Sequence, residues 1–340
     1  MLAPDDDGTP RLRAMGIATV PLAMSRSGLN PLEDGGLVLR CIRHFRELRP
    51  DAVLSFTIKN NLYGALAAKR LGLPFVPNVT GLGTAFLSGP VLRTVAERLT
   101  RAAFRGLDTV FFENGDDRAL FVARGLADPA QARVVPGTGI DLARFAPAPL
   151  PGGEPVFLLV ARLLKDKGVE EYVEAARRVR ARHPGARFQL LGPAGADNRT
   201  AIGPDRVRAW VEEGAVEYLG ETADVRPFLA AATCVVLPSY REGAPRALIE
   251  AAAAARPLIA TDVPGCRSVL EDGRTGFLCA PRSAEALEAA ILRFLALSPS
   301  AQTAMGNAGR AKMEREFDES LVVAAYREAV ARATARRLAA

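Results

Sequence analysis

Residues 234–255 read CVVLPSYREGAPRALIEAAAAA. The stretch opens on a short apolar run, Cys234–Leu237, of the length of a buried strand, and closes on an alanine-rich helix, Ala244–Ala255. Between them Gly243 permits close backbone approach, and Pro245 suits a first helical turn, where its missing N–H costs nothing. A helix that starts just after a strand offers free amides, at Gly243, Ala244 and Arg246, to an anion such as a diphosphate. Glu242 precedes the helix and Glu250 lies two turns in. On one continuous helix, eight residues leave a rotation of about 80°, so both carboxylates can address one ligand. Taken alone, the same residues also fit a solvated acid at a helix start and an exposed glutamate further along.

Outward from this stretch, short apolar runs alternate with amphipathic segments, the pattern of parallel β/α units. Strands are expected at Gly16–Leu22, Ala52–Phe56, Phe75–Asn78, Thr109–Phe112 and Arg133–Val135, with helices at Glu33–Arg49, Asn61–Leu71, Val91–Arg105 and Asp116–Arg124. The proline- and glycine-rich segment Phe145–Pro155 reads as a domain boundary. Strands then resume at Val156–Val160, Arg187–Leu191, Val216–Leu219 and Pro257–Ala260 around Cys234–Leu237, with helices between them and a long final helix from Glu319. The expected organisation is a first α/β domain over residues 1–147, a second over 148–318, and a terminal helix over 319–340 that packs back on the first. Ligands of such sheets bind at the carboxyl ends of strands, which directs attention to a cleft between the two domains.

Residues 160–169, VARLLKDKGV, follow the first strand of the second domain. Arg162 and Lys167 there are cations that can clamp phosphates and stabilise charge on a departing diphosphate without a metal. A solvated basic loop is the plainer reading of that segment. The co-occurrence of the two segments at strand ends of one domain favours a shared anion site.

Composition narrows the remaining classes. The chain of 340 residues is 49% hydrophobic and 24% charged, ordinary globular usage. Its net charge of +6, from 44 basic and 38 acidic residues, suits an acidic ligand or an anionic surface without proving either. Cys41, Cys234, Cys266 and Cys279 fit no metal or redox spacing and read as buried thiols of a reduced, cytoplasmic protein. With His44 and His183 the only histidines, a histidine-built zinc site is excluded, and so is a Ser-His-Asp triad unless one of them serves. No run of about 18 apolar residues occurs, and the N-terminus lacks the charged and apolar regions of a signal peptide. Nucleic-acid binding is poorly supported, because no recognised module or strongly basic domain is present. Arg40, Arg43, Arg46 and Arg49 recur every three residues, and Arg98, Arg101 and Arg105 share a helix face. These faces are either solvated or rest on anionic lipid, where each basic residue is worth about 1 kcal/mol.

The pair ARLLKDKGV and EGAPRALIEA resembles the signature of the retaining GT-B glycosyltransferases of family four. The likeness continues in VPGTGIDLARFAP (Val135–Pro147), VEYLGETADV (Val216–Val225) and VPGCRSVLEDGRTGFL (Val263–Leu278), the last similar to a strand-loop-helix of that family. It implies a GT-B fold, two Rossmann-like domains facing a cleft, and a nucleotide-sugar donor bound with no cofactor and no metal. By resemblance Arg162 and Lys167 hold the donor diphosphate, Glu250 the ribose and Glu242 the transferred sugar, with catalysis carried by Glu242, Arg162 and Lys167. Gly243, Ala244 and Gly137 lie on the donor side. TIKNNLYGALAAKRLGLP (Thr57–Pro74), VTGLGTAF (Val79–Phe86) and VFFENGDDRALF (Val110–Phe121) resemble bacterial members that build surface polysaccharide or lipid-linked oligosaccharide, commonly from UDP-sugars. That branch makes Lys59 an acceptor-side candidate and implies a saccharide or polyprenyl-diphosphate-linked acceptor, a cytoplasmic protein and peripheral contact with an anionic membrane. Two departures stand out. Thr80 occupies a position where many relatives carry histidine, and the family's usual first strand and Gly-rich loop have no counterpart before Met1. A shifted start site, a trimmed chain and a true deletion are equally compatible with that, and the sheet is expected to expose apolar faces and an edge. Three other readings stay open: a sugar-nucleotide 2-epimerase of GT-B fold, an inactive sugar-nucleotide-binding remnant, and a pure interaction protein, which leaves the two charged segments unexplained.

Overall fold

The apolar runs become strands buried on both faces, which is what parallel sheets between helical layers require. The computed structural model describes residues 1–6, 8–24, 31–82, 89–196 and 198–339. Part of the segment Val79–Phe86, residues 83–86, lies outside the described residues. The chain divides into two compact units: Met1–Phe112 with Asp117–Val134 and Tyr326–Ala340, and Glu113–Asp116 with Val135–Ala325.

The first unit begins with β1 (Leu2–Ala3), α1 (Thr9–Ala14) and β2 (Val20–Pro21), the two strands pairing in parallel. The expected strand at Gly16–Leu22 is reduced to Val20–Pro21. Next come α2 (Pro31–Leu48), β3 (Val53–Phe56), α3 (Ile58–Arg70), β4 (Phe75–Val79), α4 (Pro90–Phe104), β5 (Val110–Phe112), α5 (Gly115–Ala123) and β6 (Ala132–Val134). β3 to β6 form a parallel sheet in sequence order, and β3, at its edge, leaves Leu54 and Phe56 partly exposed. Phe45, Tyr63, Phe75, Phe104, Phe112 and Phe121 make up much of the core.

The second unit contains β7 (Val156–Val160), a 3-10 turn (Lys165–Lys167), α6 (Val169–Arg180), β8 (Arg187–Leu191), α7 (Pro204–Glu212), β9 (Glu217–Tyr218), α8 (Arg226–Ala231) and β10 (Cys234–Leu237). It continues through α9 (Arg246–Ala253), β11 (Leu258–Thr261), α10 (Pro264–Val269), β12 (Gly276–Cys279), α11 (Ala284–Leu295), α12 (Pro299–Glu316) and α13 (Glu319–Ala339). Its parallel sheet has the order β12-β11-β10-β7-β8-β9. Phe157 and Leu159 pack into one cluster with Tyr172, Phe188 and Phe294, while Leu158 packs on the opposite face with Val235, Leu237 and Leu248. Within Val263–Leu278 the order is helix then strand, α10 before β12, which corrects the expected strand-loop-helix.

The limits expected at 147/148 and 318/319 fall elsewhere, at 134/135 and 325/326. The division by compactness falls between Val134 and Val135, ahead of the proline-rich segment, which belongs to the second unit. Arg256 is the reason: it is 0% exposed, and its guanidinium donates to Ala148 O, to Pro149 O (3.1 Å), to Ala232 O (3.2 Å) and to Ala254 O (3.2 Å). Phe145 is buried in the same unit. The end of α13, from Tyr326, joins the first unit. Tyr326 packs edge-on against Phe111 (4.9 Å between centroids) and Phe56 (5.9 Å), and Arg332 donates to Thr109 Oγ1 at 3.0 Å.

Replacing Arg256 by leucine is expected to leave these buried carbonyls without donors, at about 3 kcal/mol. Thermal unfolding followed by circular dichroism should show a melting point lower by about 5 °C or more; an unchanged melting point would show that the carbonyls do not depend on it.

Candidate functional site

β7 lies between β8 and β10, so the chain proceeds outward from β7 in one direction and resumes from β10 in the other. The carboxyl ends of β7 and β10 therefore flank the sheet's topological switch point, where open α/β sheets bind ligands. The loop after β7 carries Arg162 and Lys167, and the loop after β10 carries Glu242, Gly243 and Ala244.

Backbone contacts join the two loops first. Gly168 adopts a left-handed conformation (φ 69°), and a Cβ there would fall 2.1 Å from Pro238 O, so only glycine fits. Tyr240 N donates to Asp166 O at 2.9 Å. Lys167, at the end of the 3-10 turn, then meets Glu242, with Nζ to Oε1 at 2.5 Å and side chains only 24% and 11% exposed. A half-buried pair of this kind makes removal of either partner costly, because the other charge is left uncompensated.

Glu242 is set by the backbone behind it. Gly265, in α10, donates its N–H to Glu242 O at 3.2 Å, and a Cβ on Gly265 would lie 2.4 Å from Gly243 O. Asn114 Nδ2 donates to Gly243 O at 2.9 Å. Cys266 sits beside the pair. Burial first, and then the charge of Glu242, push its thiol well above its ordinary range, against the opposing effects of Thr261 and Lys167. Asn114, Gly265 and Cys266 carried no sequence signal for this position. Only their packing reveals them, and Asn114 is 129 residues from Gly243 in the chain.

α9 starts at Arg246, with Pro245 as an extended N-cap (φ −72°, ψ 99°) rather than inside the first turn. Among the described residues, the backbone N–H groups of Gly243, Ala244 and Arg246 have no acceptor. Glu242 therefore lies outside the helix, and the rotation argument for the pair Glu242/Glu250 does not apply; the loop, not helical phase, aims Glu242. Glu250, 13% exposed, is instead bonded by Arg246 Nε at 2.7 Å, one turn earlier. Gly137 (φ 59°) lies against α9, where a Cβ would come 2.7 Å from Ala244 Cβ. Arg162 is exposed, and its side chain has no hydrogen-bond or ion-pair partner among the described residues. The structure thus joins Lys167 to Glu242, sets Gly137 on Ala244, and leaves Arg162 and Glu250 outside that contact.

Lys59 belongs to the first unit. It is no solvated lysine: Nζ is 3.3 Å from Asp34 Oδ1, with side chains 12% and 8% exposed. Tyr63 OH donates to Asp34 Oδ2 at 2.8 Å, and burial followed by that bond raises the phenol far above its usual range. Thr57, just before α3, holds φ 71°, a strained value for a β-branched residue. A cavity of about 720 Å³ opens here, lined by Ala3, Asp5, Asp6, Met24, Thr57 and Lys59 among others.

Residues 154–296 match the family model described as glycosyl transferases group 1, and residues 1–138 match the glycosyl transferase 4-like domain. The chain is 26% identical over 344 residues to the N,N'-diacetylbacillosaminyl-diphospho-undecaprenol alpha-1,3-N-acetylgalactosaminyltransferase of Campylobacter jejuni, covering 96% of this chain and 89% of that protein. It is 29% identical over 300 residues to the glycogen synthase of Mycobacterium tuberculosis, across 85% of this chain and 70% of that one. Among solved structures, Anabaena Alr3699/HepE in complex with UDP superposes with a TM-score of 0.78 at 19% identity, covering 97% of this chain and 91% of that chain. Sucrose-phosphate synthase from Thermosynechococcus elongatus gives a TM-score of 0.72 at 20% identity, over 92% and 83%. At these identities the structural likeness speaks for the fold.

Gly265→Ala is expected to force the Glu242–Gly243 backbone away from α10, since the added methyl meets backbone rather than a movable side chain. Thermal unfolding should show a loss of about 1–3 kcal/mol; a wild-type melting curve would show that the loop is not held by this contact.

Proposed function

The chain belongs to the GT-B glycosyltransferases of family four, and from that premise we propose that it transfers a glycosyl group, with retention, from a nucleotide-diphosphate sugar, a UDP-sugar, to a saccharide or polyprenyl-diphosphate-linked saccharide in surface polysaccharide assembly. The observation that carries this reading is the Lys167–Glu242 contact at the switch point, beside amides that have no acceptor. A cation, open N–H groups and a carboxylate within one pair of loops match a ligand that has both a diphosphate and sugar hydroxyls.

In this reading Lys167, Arg162 and the amides of Gly243 and Ala244 stabilise the departing diphosphate, as positioned donors do best where charge develops. Lys167 already neutralises Glu242, so the incoming diphosphate competes for the same ammonium. As Lys167 turns to phosphate, Glu242 gains lone pairs for the hydroxyls of the transferred sugar. Arg246 orients Glu250 toward the ribose, Gly137 keeps the rear of α9 close, and Lys59 with Asp34 serves the acceptor side. No side chain is assigned as a covalent nucleophile; the acceptor hydroxyl attacks the face from which the diphosphate leaves and gives its proton to the departing diphosphate oxygen, which retains the anomeric configuration. Neutralisation by side chains and amides leaves no step that needs a metal. The lipid-linked acceptor in the name of the Campylobacter jejuni relative and the UDP in the Anabaena structure support the acceptor and donor classes. Such an acceptor assigns the chain to the inner face of a cell membrane, held peripherally.

Calorimetry should find UDP binding more tightly than GDP or ADP, with turnover only when a saccharide or lipid-linked saccharide is supplied and unaffected by EDTA. Release of free nucleotide without an acceptor would favour the 2-epimerase instead. Lys167→Ala and Glu242→Gln should each lower kcat by about 100-fold or more with the fold retained. Proton NMR of the product should show the donor's anomeric configuration. Failure of every nucleoside diphosphate to bind would end the proposal.

A further inference from the structure

Helix α4 buries Ala96, Thr100, Ala103 and Phe104 in the first unit. At 100° per residue, its opposite face reads Val91, Val95, Arg98, Ala102 and Arg105, with Arg101 on one flank and Leu92 on the other edge. The amino-terminal half of that face is apolar: Val91 is 78% exposed, Val95 46% and Leu92 37%. The carboxyl-terminal half is basic and carries no acid. Glu97, the acidic residue of this helix, turns away and pairs with Arg124 at 2.9 Å and Arg101 at 3.6 Å. Among the described residues Arg98 and Arg105 have no hydrogen-bond or ion-pair partner for their guanidinium groups, in contrast to Arg43 on α2, which is bonded to Glu47 at 2.8 Å. Beside the α4 arginines opens a cavity of about 660 Å³, lined by Arg98, Arg101, Arg105, Leu126, Asp128 and Gln131 among others. Asp128 accepts from the Ala130 N–H at 2.8 Å, so one of its oxygens is engaged in its own turn.

Exposed aliphatic side chains next to unpaired guanidinium groups on one helix face fit a surface that is apolar beneath an anionic layer. The valines and Leu92 enter the acyl boundary, the long arginine stems lie along it, and the guanidinium groups meet phosphates. Among the described residues, no helix is long and apolar enough to cross a membrane, so α4 lies on such a surface rather than through it. We propose that the outward face of α4, Val91, Leu92, Val95, Arg98, Arg101 and Arg105, is the surface by which this chain docks on an anionic phospholipid bilayer. The inference deepens the reading of a lipid-linked acceptor. It is tested without donor or acceptor, so each can fail alone.

The experiment is co-sedimentation of the full chain with vesicles of phosphatidylglycerol and phosphatidylcholine in equal parts, against phosphatidylcholine alone. Binding is expected to the anionic vesicles only and to fall with added salt. Arg98→Gln with Arg105→Gln, and separately Val91→Asp with Val95→Asp, should each weaken it at least tenfold, the scale of two residues at a charged interface. Because all four side chains are exposed, melting curves should stay at the wild-type value. Absence of binding by the wild-type chain, or equal binding by either double variant, overturns the proposal. So does a concentration-dependent dimer that Val91→Asp with Val95→Asp abolishes, since the face would then belong to a second copy.

Discussion

Lys167 and Glu242 are 75 residues apart in the chain, and their 2.5 Å contact exists because β7 and β10 are neighbours at the point where the sheet changes direction. Cys234 pairs with Phe157 and Val235 with Leu158, which fixes where the two loops leave the sheet. Gly168 against Pro238, and the bond from Tyr240 N to Asp166 O, bring the loops together before any charge is considered. The ion pair therefore adds little to the search for that arrangement. What it adds is a constraint on the result: a carboxylate 11% exposed needs a cation, and the cation is the group that a phosphate would claim.

The wall behind the site is equally determined by small residues. Ala251–Ala255 first reads as good helix-forming composition, yet all five are buried at 6% exposure or less, which makes them a packing device. With only methyl groups on that face, α9 lies close to α12, where a Cβ on Gly309 would come 3.7 Å from Ala252 Cβ and one on Gly306 would strike Ala255 O at 2.2 Å. Gly265 does the same from α10. Close approach on each side leaves the Glu242–Gly243 backbone little room to move, and a rigid frame is what makes open amides useful to a ligand.

The long elements were legible because both faces of the sheets are buried, so strands such as Val156–Val160 and Cys234–Leu237 are unbroken apolar runs. The two-residue strands β1 and β9 have too few positions for any period to register, and α10 and β12 follow each other within one short stretch. Around the candidate site, Glu242 and Lys167 stand out by residue type beside strand ends, whereas Gly137 enters through the resemblance alone. Asn114, Gly265 and Asp34 did not, because an amide, a glycine and an acid acquire meaning only from what lies against them. The spacing of Glu242 and Glu250 suggested a shared face only while both were assumed helical, and the extended Pro245 removed that premise. Phe145–Pro155 read as a linker by composition, while a buried arginine more than a hundred positions later ties it down.

Net charge, similarly, is a sum whose distribution matters more than its value. Much of the second unit's basic content is matched locally: Arg187 to Glu217 at 2.7 Å, Arg177 to Glu213 at 2.5 Å, and Arg226 to Asp224, whose carboxyl is held down at about 2 by that guanidinium. Exposed pairs of this kind contribute little stability, but they silence the field of both partners. Against that background the guanidinium groups without a partner among the described residues gain weight: Arg162 at the switch-point loop, and Arg98 and Arg105 on α4. The first lies on the loop after β7, the others beside exposed aliphatics, and the surroundings decide what each is suited to meet. An arginine at the carboxyl end of a strand favours a compact anion that several donors can share, whereas an arginine beside valines favours an anion attached to something apolar. One residue type, left unpaired in two surroundings, is thereby suited to two different kinds of anion.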